Sequence, residues 1–188
     1  MGITKVRSDN LDVDLNVDLD SITMHSPGSI TGCQSITGLQ SLSASGTCTV
    51  NGTYILGSNS SFQATYADLA EKYTSDEFYE PGTVVVFGGQ KEITISTGPD
   101  ARNIAGVISS YPAYVLNVDC HGPEVALLGR VPCRVVGTIK KGDMMVSSSI
   151  PGVATASQDP KIGSVIGKAL ADYDSEFPGL IEVVVGRI

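Results

Sequence analysis

A chain of 188 residues with 41% apolar side chains is long enough for one well-cored domain and an appendage. Its 21 glycines, 17% charged residues and lack of Trp suit short strands and tight turns, so the expected fold is mostly β. The net charge of −8 excludes the electrostatic footprint of a protein that grips a nucleic-acid backbone, and no apolar run approaches the roughly 18 residues of a membrane span.

In chain order, residues 1–10 hold no apolar signal core, which implies a product made in the cytoplasm without processing or membrane insertion. Leu11, Val13, Leu15, Val17 and Leu19 then alternate with polar residues, the pattern of a strand with one apolar face. A hexad repeat follows over 29–34, 35–40 and 41–46. Each unit offers one large aliphatic residue, Ile30, Ile36 or Leu42, beside β-favouring Ser or Thr, and Leu39 adds another to the second unit. No unit can bury its aliphatic side chain alone, and no aromatic residue precedes Tyr54, so a core has to come from stacked neighbours or from other copies of the chain. The expected solution is a short β-rich stem over residues 1–63 in which three chains share one axial core. A flexible Gly/Ser linker is the alternative, and the regular spacing of aliphatic residues argues against it.

Residues 64–82 are the junction. Leu69 and Tyr73 lie four apart, a spacing that puts both on one face of a helical turn, and Glu80-Pro81-Gly82 ends any helix there. Such a turn would act as a collar at a three-fold axis, with Ile30, Ile36, Leu39, Leu42, Leu69 and Tyr73 as the expected trimer-interface residues.

Residues 83–188 read as a compact all-β head, or knob. Nine apolar runs, at 83–87, 93–96, 104–109, 113–118, 125–128, 134–136, 144–146, 165–170 and 181–185, are separated by turn residues such as Gly98-Pro99, Lys141-Gly142-Asp143 and Pro178-Gly179.

The chain is poorly equipped for catalysis. His25 and His121 are its only histidines, and neither is matched by a nucleophile and a carboxylate in a recognisable spacing. Ser147-Ser148-Ser149 reads as a turn, and Asp172, Asp174 and Glu176 read as a solvated acidic edge rather than a calcium loop. Gly88-Gly89-Gln90-Lys91 fits no phosphate-binding fingerprint. Lys140-Lys141, the only adjacent basic pair, reads as a solvated turn. Cys33, Cys48, Cys120 and Cys133 form no CxxC pair and are expected as free thiols. No catalytic, cofactor-binding or metal-ligating residue is expected.

The stretch ATYADLAEKYTSDEFYEPGTVVVFGG, with 103–114, 128–133, 141–148 and 166–170 after it, resembles the carboxy-terminal head domain of tailed-bacteriophage fibre proteins over about residues 64–188. That resemblance implies a homotrimeric virion protein, with a stem and a knob, on the tail, baseplate or another exposed part of the particle. Its partners would be other virion proteins and a bacterial surface receptor. Tyr111, Tyr114 and Tyr173 are the candidate receptor contacts. The sequence is also similar to self-cleaving phage-appendage domains, whose Asp-Tyr-Ala-Glu opening looks like Tyr66-Ala67-Asp68-Leu69-Ala70-Glu71. Here the order of Tyr and Asp differs and one residue is inserted before Glu71. An autoproteolytic trimerisation chaperone and a capsid decoration protein are the alternative functions.

Overall fold

The computed structural model describes residues 41, 43 and 45–186. The chain divides between Ile55 and Leu56 into two units. In the first, the described residues are exposed and form no strand. Ile30, Ile36, Leu39, Leu42 and the strand expected over 11–19 lie outside the described residues.

The second unit is all β, with ten strands and no helix among the described residues. They are β1 (Asp68–Lys72), β2 (Val84–Phe87), β3 (Ile93–Ile95), β4 (Ile104–Ile108), β5 (Tyr114–Leu116), β6 (Glu124–Ile139), β7 (Met144–Ser147), β8 (Ala154–Ser157), β9 (Gly167–Ala169) and β10 (Tyr173–Val185). The 16-residue β6 is the spine. Its first half is flanked by β1 and β4, and its second half by β10 and β8. Gly129 is where the partners change, paired with both Asp68 and Val185.

These pairings close two rings on the shared spine. One runs β6–β8–β7–β9–β10 and back to β6. The other runs β6–β4–β2–β3 and returns through β1, whose continuation meets β3 at the Ser75–Ile93 bridge and at the Ile93 N–H bond to the Thr74 carbonyl. Closure leaves few free strand edges, an arrangement that limits unwanted pairing with other chains. Strand β5 adds to the outer side of β1 in parallel.

Each ring has its own core, and β2, β4 and β6 form the wall between them. Val84, Val107 and Ala126 face the larger core with Ile139, Met145 and Val183. Their chain neighbours Val85, Ile108 and Val125 face the smaller core with Ile93, Tyr73 and Tyr79. Successive strand residues point to opposite faces, so a strand buried on both sides must be apolar throughout. That is why 84–86 reads as an uninterrupted run of valine.

The structure corrects the helical collar. Residues 68–72 form strand β1, held between β5 and β6. A separation of four residues is an even number, so Leu69 and Tyr73 share a face in a strand as they would in a helix, and only the tertiary partners decide between the two. The runs at 125–128 and 134–136 are parts of one strand, β6, which passes through Gly129 and Pro132. Strand β10 starts at Tyr173 and runs through the acidic edge, with its register shift between Ser175 and Gly179 around Pro178. Strand β8, Ala-Thr-Ala-Ser, is built of small residues that give no apolar run.

Cys133 is completely buried in the larger core, and burial pushes its thiol up to about 12. The thiolate is the reactive form, so Cys133 is expected to resist alkylation in the native protein while exposed Cys48 reacts freely. Timed iodoacetamide labelling read by peptide mass spectrometry checks this. Equal labelling of the two would contradict the packing.

Candidate functional site

The described residues offer no cluster of three or more His, Cys, Asp or Glu side chains arranged to hold a metal ion. No helix of the described residues is long and apolar enough to cross a membrane. The most developed surface feature is a pair of adjoining clefts on the outside of the β6–β10–β9 sheet, of about 520 and 380 Å³, which share Ala67 and Arg130.

Strand register builds the larger cleft. Lys168 on β9, Val184 on β10 and Arg130 on β6 are successive cross-strand partners, and the Arg130 N–H donates to the Ala67 carbonyl at 3.2 Å. Cross-strand partners project from the same face, so Lys168 and Arg130 stand two strands apart, roughly 10 Å, with Val184 between them. Both cations are exposed.

The turn between β6 and β7 brings a third cation. The Lys140 N–H donates to the Asp143 carboxylate at 2.8 Å, and the Gly142 N–H donates to the Ala169 carbonyl at 2.8 Å, which docks the turn on β9. Asp172 accepts from the Lys141 N–H at 2.8 Å and pairs with the Lys140 ammonium at 3.3 Å. Those contacts, the Lys141 amide first and the Lys140 ammonium next, hold the Asp172 carboxyl below the usual carboxylate range. Lys140 is thereby matched. Lys141 and Lys168 line the cleft; the Lys141 charge also acts on the Asp172 carboxylate, whereas Lys168 forms no ion pair among the described residues.

The smaller cleft is aromatic and acidic. The rings of Tyr66 and Tyr111 stack with centroids 5.6 Å apart and planes 20° apart, although both residues are more than half exposed. Asp68 lines the same cleft at 5% exposure, and its Oδ2 has no hydrogen-bond partner among the described residues. A buried polar atom without a partner costs about 1–3 kcal/mol, so such an atom marks a place where a donor from outside would be gained at no further desolvation of the carboxylate. Arg130 bridges the two clefts and meets Glu182 at 3.6 Å, a half-exposed pair of the kind that contributes little to stability.

Of the three tyrosines expected to contact a receptor, Tyr111 alone lines these clefts. Tyr114 sits on β5 opposite Leu69, and Tyr173 packs against the larger core with its hydroxyl donating to the Phe177 carbonyl at 2.7 Å. Leu69 is half-buried on β1 opposite Leu128. Tyr73 packs against the smaller core and donates to Glu71 at 2.8 Å, and burial together with that bond pushes its phenol up to about 12. Asp68, Arg130, Lys141 and Lys168 are scattered over 100 residues. The Tyr66-Ala67-Asp68 opening, Tyr111 and the Lys140-Lys141 turn were each legible in the sequence, but nothing in it placed them in one site, and Arg130 and Lys168 carried no signal at all.

The acidic edge also has structural partners. Besides Asp172, Asp174 accepts from the Thr138 hydroxyl at 2.8 Å. Among known proteins, no family model matches the chain, and no curated protein matches it.

Proposed function

We propose that the protein is a structural component of a bacteriophage particle: a homotrimeric appendage of tail-fibre or baseplate type, with a β-rich stem over residues 1–63 followed by the β head, which meets the host surface. The observation that carries this reading is the hexad repeat with its spaced Ile30, Ile36 and Leu42, which precedes in the chain a domain that encloses its own cores. A repeat that cannot bury its aliphatic residues alone needs partner chains, whereas the head does not. Three almost fully exposed apolar side chains on the head, Phe78, Ile162 and Phe177, are consistent with further contacts between chains or with other virion proteins. The likeness of 64–188 to phage fibre heads supplies the particle context.

Light scattering on the purified chain should give three times the 19.6 kDa protomer mass. A stable monomer at micromolar concentration would sink the trimer. Leu69→Asp is expected to dissociate it if Leu69 also packs at the three-fold axis; if Leu69 packs only against the head, opposite Tyr114 and Leu128, the variant destabilises the head and leaves the trimer assembled. Location is tested separately, by whether the protein remains with purified particles and at which end.

One observation favours the self-cleaving alternative. Asp68, in the Tyr66-Ala67-Asp68 opening, is a buried carboxylate with an unpartnered oxygen, beside Ser109 and Ser110 in the smaller cleft. Self-cleavage predicts a shortened band after prolonged incubation that Asp68→Asn abolishes. An intact chain in both proteins argues for the purely structural role.

A further inference from the structure

We propose that the paired clefts form one receptor groove for an acidic saccharide, with the sugar on the Tyr66–Tyr111 side and its anionic group on Arg130, Lys141 and Lys168. This deepens the reading of a host-contacting head and rests on it.

Two independent observations point to a ligand. The first is charge. The chain has 20 acidic residues against 12 Lys and Arg, yet three cations converge on the larger cleft: Arg130 meets Glu182 at 3.6 Å, Lys141 lies within reach of the Asp172 carboxylate, and Lys168 forms no ion pair among the described residues. Three like charges facing only half-exposed or partial counter-ions still repel one another, and an anion placed among them relieves that repulsion. The floor beneath them, Val184 and Ala169, brings no competing carboxylate. The second observation is Asp68, 95% removed from solvent by its 5% exposure and lacking a donor for Oδ2 at the edge of the smaller cleft.

The two clefts ask for different chemistry in one molecule. Arg130, Lys141 and Lys168 suit a phosphate or a carboxylate. The stacked, exposed Tyr66 and Tyr111 offer apolar ring surface with hydroxyl tips, which suits the C–H face of a sugar. Asp68 and Glu182 are acceptors for donor groups, and a sugar hydroxyl supplies these without bringing a cation into the basic cleft. A free anion would leave the aromatic side unused, and a neutral sugar would leave Lys168 unmatched and the cluster of cations unrelieved. Because Arg130 belongs to both clefts, the anionic and sugar parts have to be close neighbours, as they are in a uronic acid or a sugar phosphate.

Three tetrasaccharides test the groove on the full-length chain: tetragalacturonate, phosphorylated maltotetraose and unmodified maltotetraose, with inorganic phosphate as a fourth probe. Binding is read by saturation-transfer NMR and by tyrosine fluorescence, which the lack of Trp leaves unobscured. One or both acidic tetramers should bind at least tenfold more tightly than maltotetraose in 50 mM salt, and that preference should shrink in 0.5 M salt. The two acidic probes tell carboxylate from phosphate. The double variant Lys141→Glu/Lys168→Glu should lose at least tenfold in acidic-tetramer affinity, and Tyr111→Ala should weaken all sugar binding.

Equal binding of acidic and neutral tetramers would overturn the proposal. So would unchanged affinity in the double variant, or inorganic phosphate binding as tightly as the acidic sugars. Mass measured on the same samples separates the two readings. A trimer that binds none of the sugars defeats the groove alone, and a monomer defeats the trimer whatever it binds. If the double variant changes the oligomeric state, the cleft is a subunit interface and the groove proposal fails.

Discussion

Gly129→Val is expected to destabilise the head by roughly 3–5 kcal/mol, a large share of what holds an ordinary domain folded. Gly129 sits in β6 at φ +112°, where its two neighbours are the Asp68 strand on one side and the Val185 strand on the other. A Cβ there would collide with the Ala67 carbonyl and lie 2.8 Å from the Asp68 Cα. Both obstacles are backbone, so neither can swing aside. Gly142 provides the comparison, because its φ is +96° yet nothing lies within 4 Å of an added Cβ. Gly142→Ala should therefore show the conformational strain alone, about 1 kcal/mol. Urea unfolding of the two variants measures the difference. Similar losses would mean that β1 can move away from β6, and that the junction of the two rings is softer than its packing implies.

The second large effect concerns the two cores. Ile139→Ala in the larger and Ile93→Ala in the smaller should each cost about 2–5 kcal/mol, since both side chains are fully buried and neither site can collapse freely. The informative result is the shape of the transition. Strands β2, β4 and β6 supply residues to both cores on alternate positions, so loosening one core removes a wall from the other. Ile93→Ala should thus lower the midpoint of a single cooperative transition seen by every probe. Two separated transitions would show that the rings unfold independently and that the wall transmits little.

The clefts outside these rings depend on the same backbone. Arg130 follows Gly129 directly, and the hydrogen bond its backbone N–H donates to the Ala67 carbonyl fixes the edge that both clefts share. A Gly129 variant that stayed folded would therefore be expected to disturb the groove as well as the fold.

Much of this was legible in the residues. Composition placed the chain among mostly β proteins, and seven of the nine expected runs correspond one to one with strands: 83–87, 93–96, 104–109, 113–118, 144–146, 165–170 and 181–185. Alternation and apolar runs register burial directly, because a side chain's transfer from water is a property of that residue and its strand period. The double-sided valines of β2 announced a strand without sunlit faces, though not that two different cores would claim them.

Other features were decided by tertiary contacts. Residues 67–73 satisfy a helical and a strand pattern equally, and only pairing with β5 and β6 selects the strand. The join of 125–128 to 134–136 depends on a positive-φ glycine that reads locally as a break, and β8 becomes a strand because β7 lies beside it. The candidate groove was the least legible part. Its four charged residues, Asp68, Arg130, Lys141 and Lys168, become neighbours only through the lateral register of β9, β10, β6 and β1 and the docking of one turn. The sequence by itself determined which side chains must leave water and where the chain must turn, since those preferences are local. Ring closure, the shared wall and the meeting of distant charges belong to the tertiary structure, because hydrogen-bond register between strands is set by partners far away in the chain.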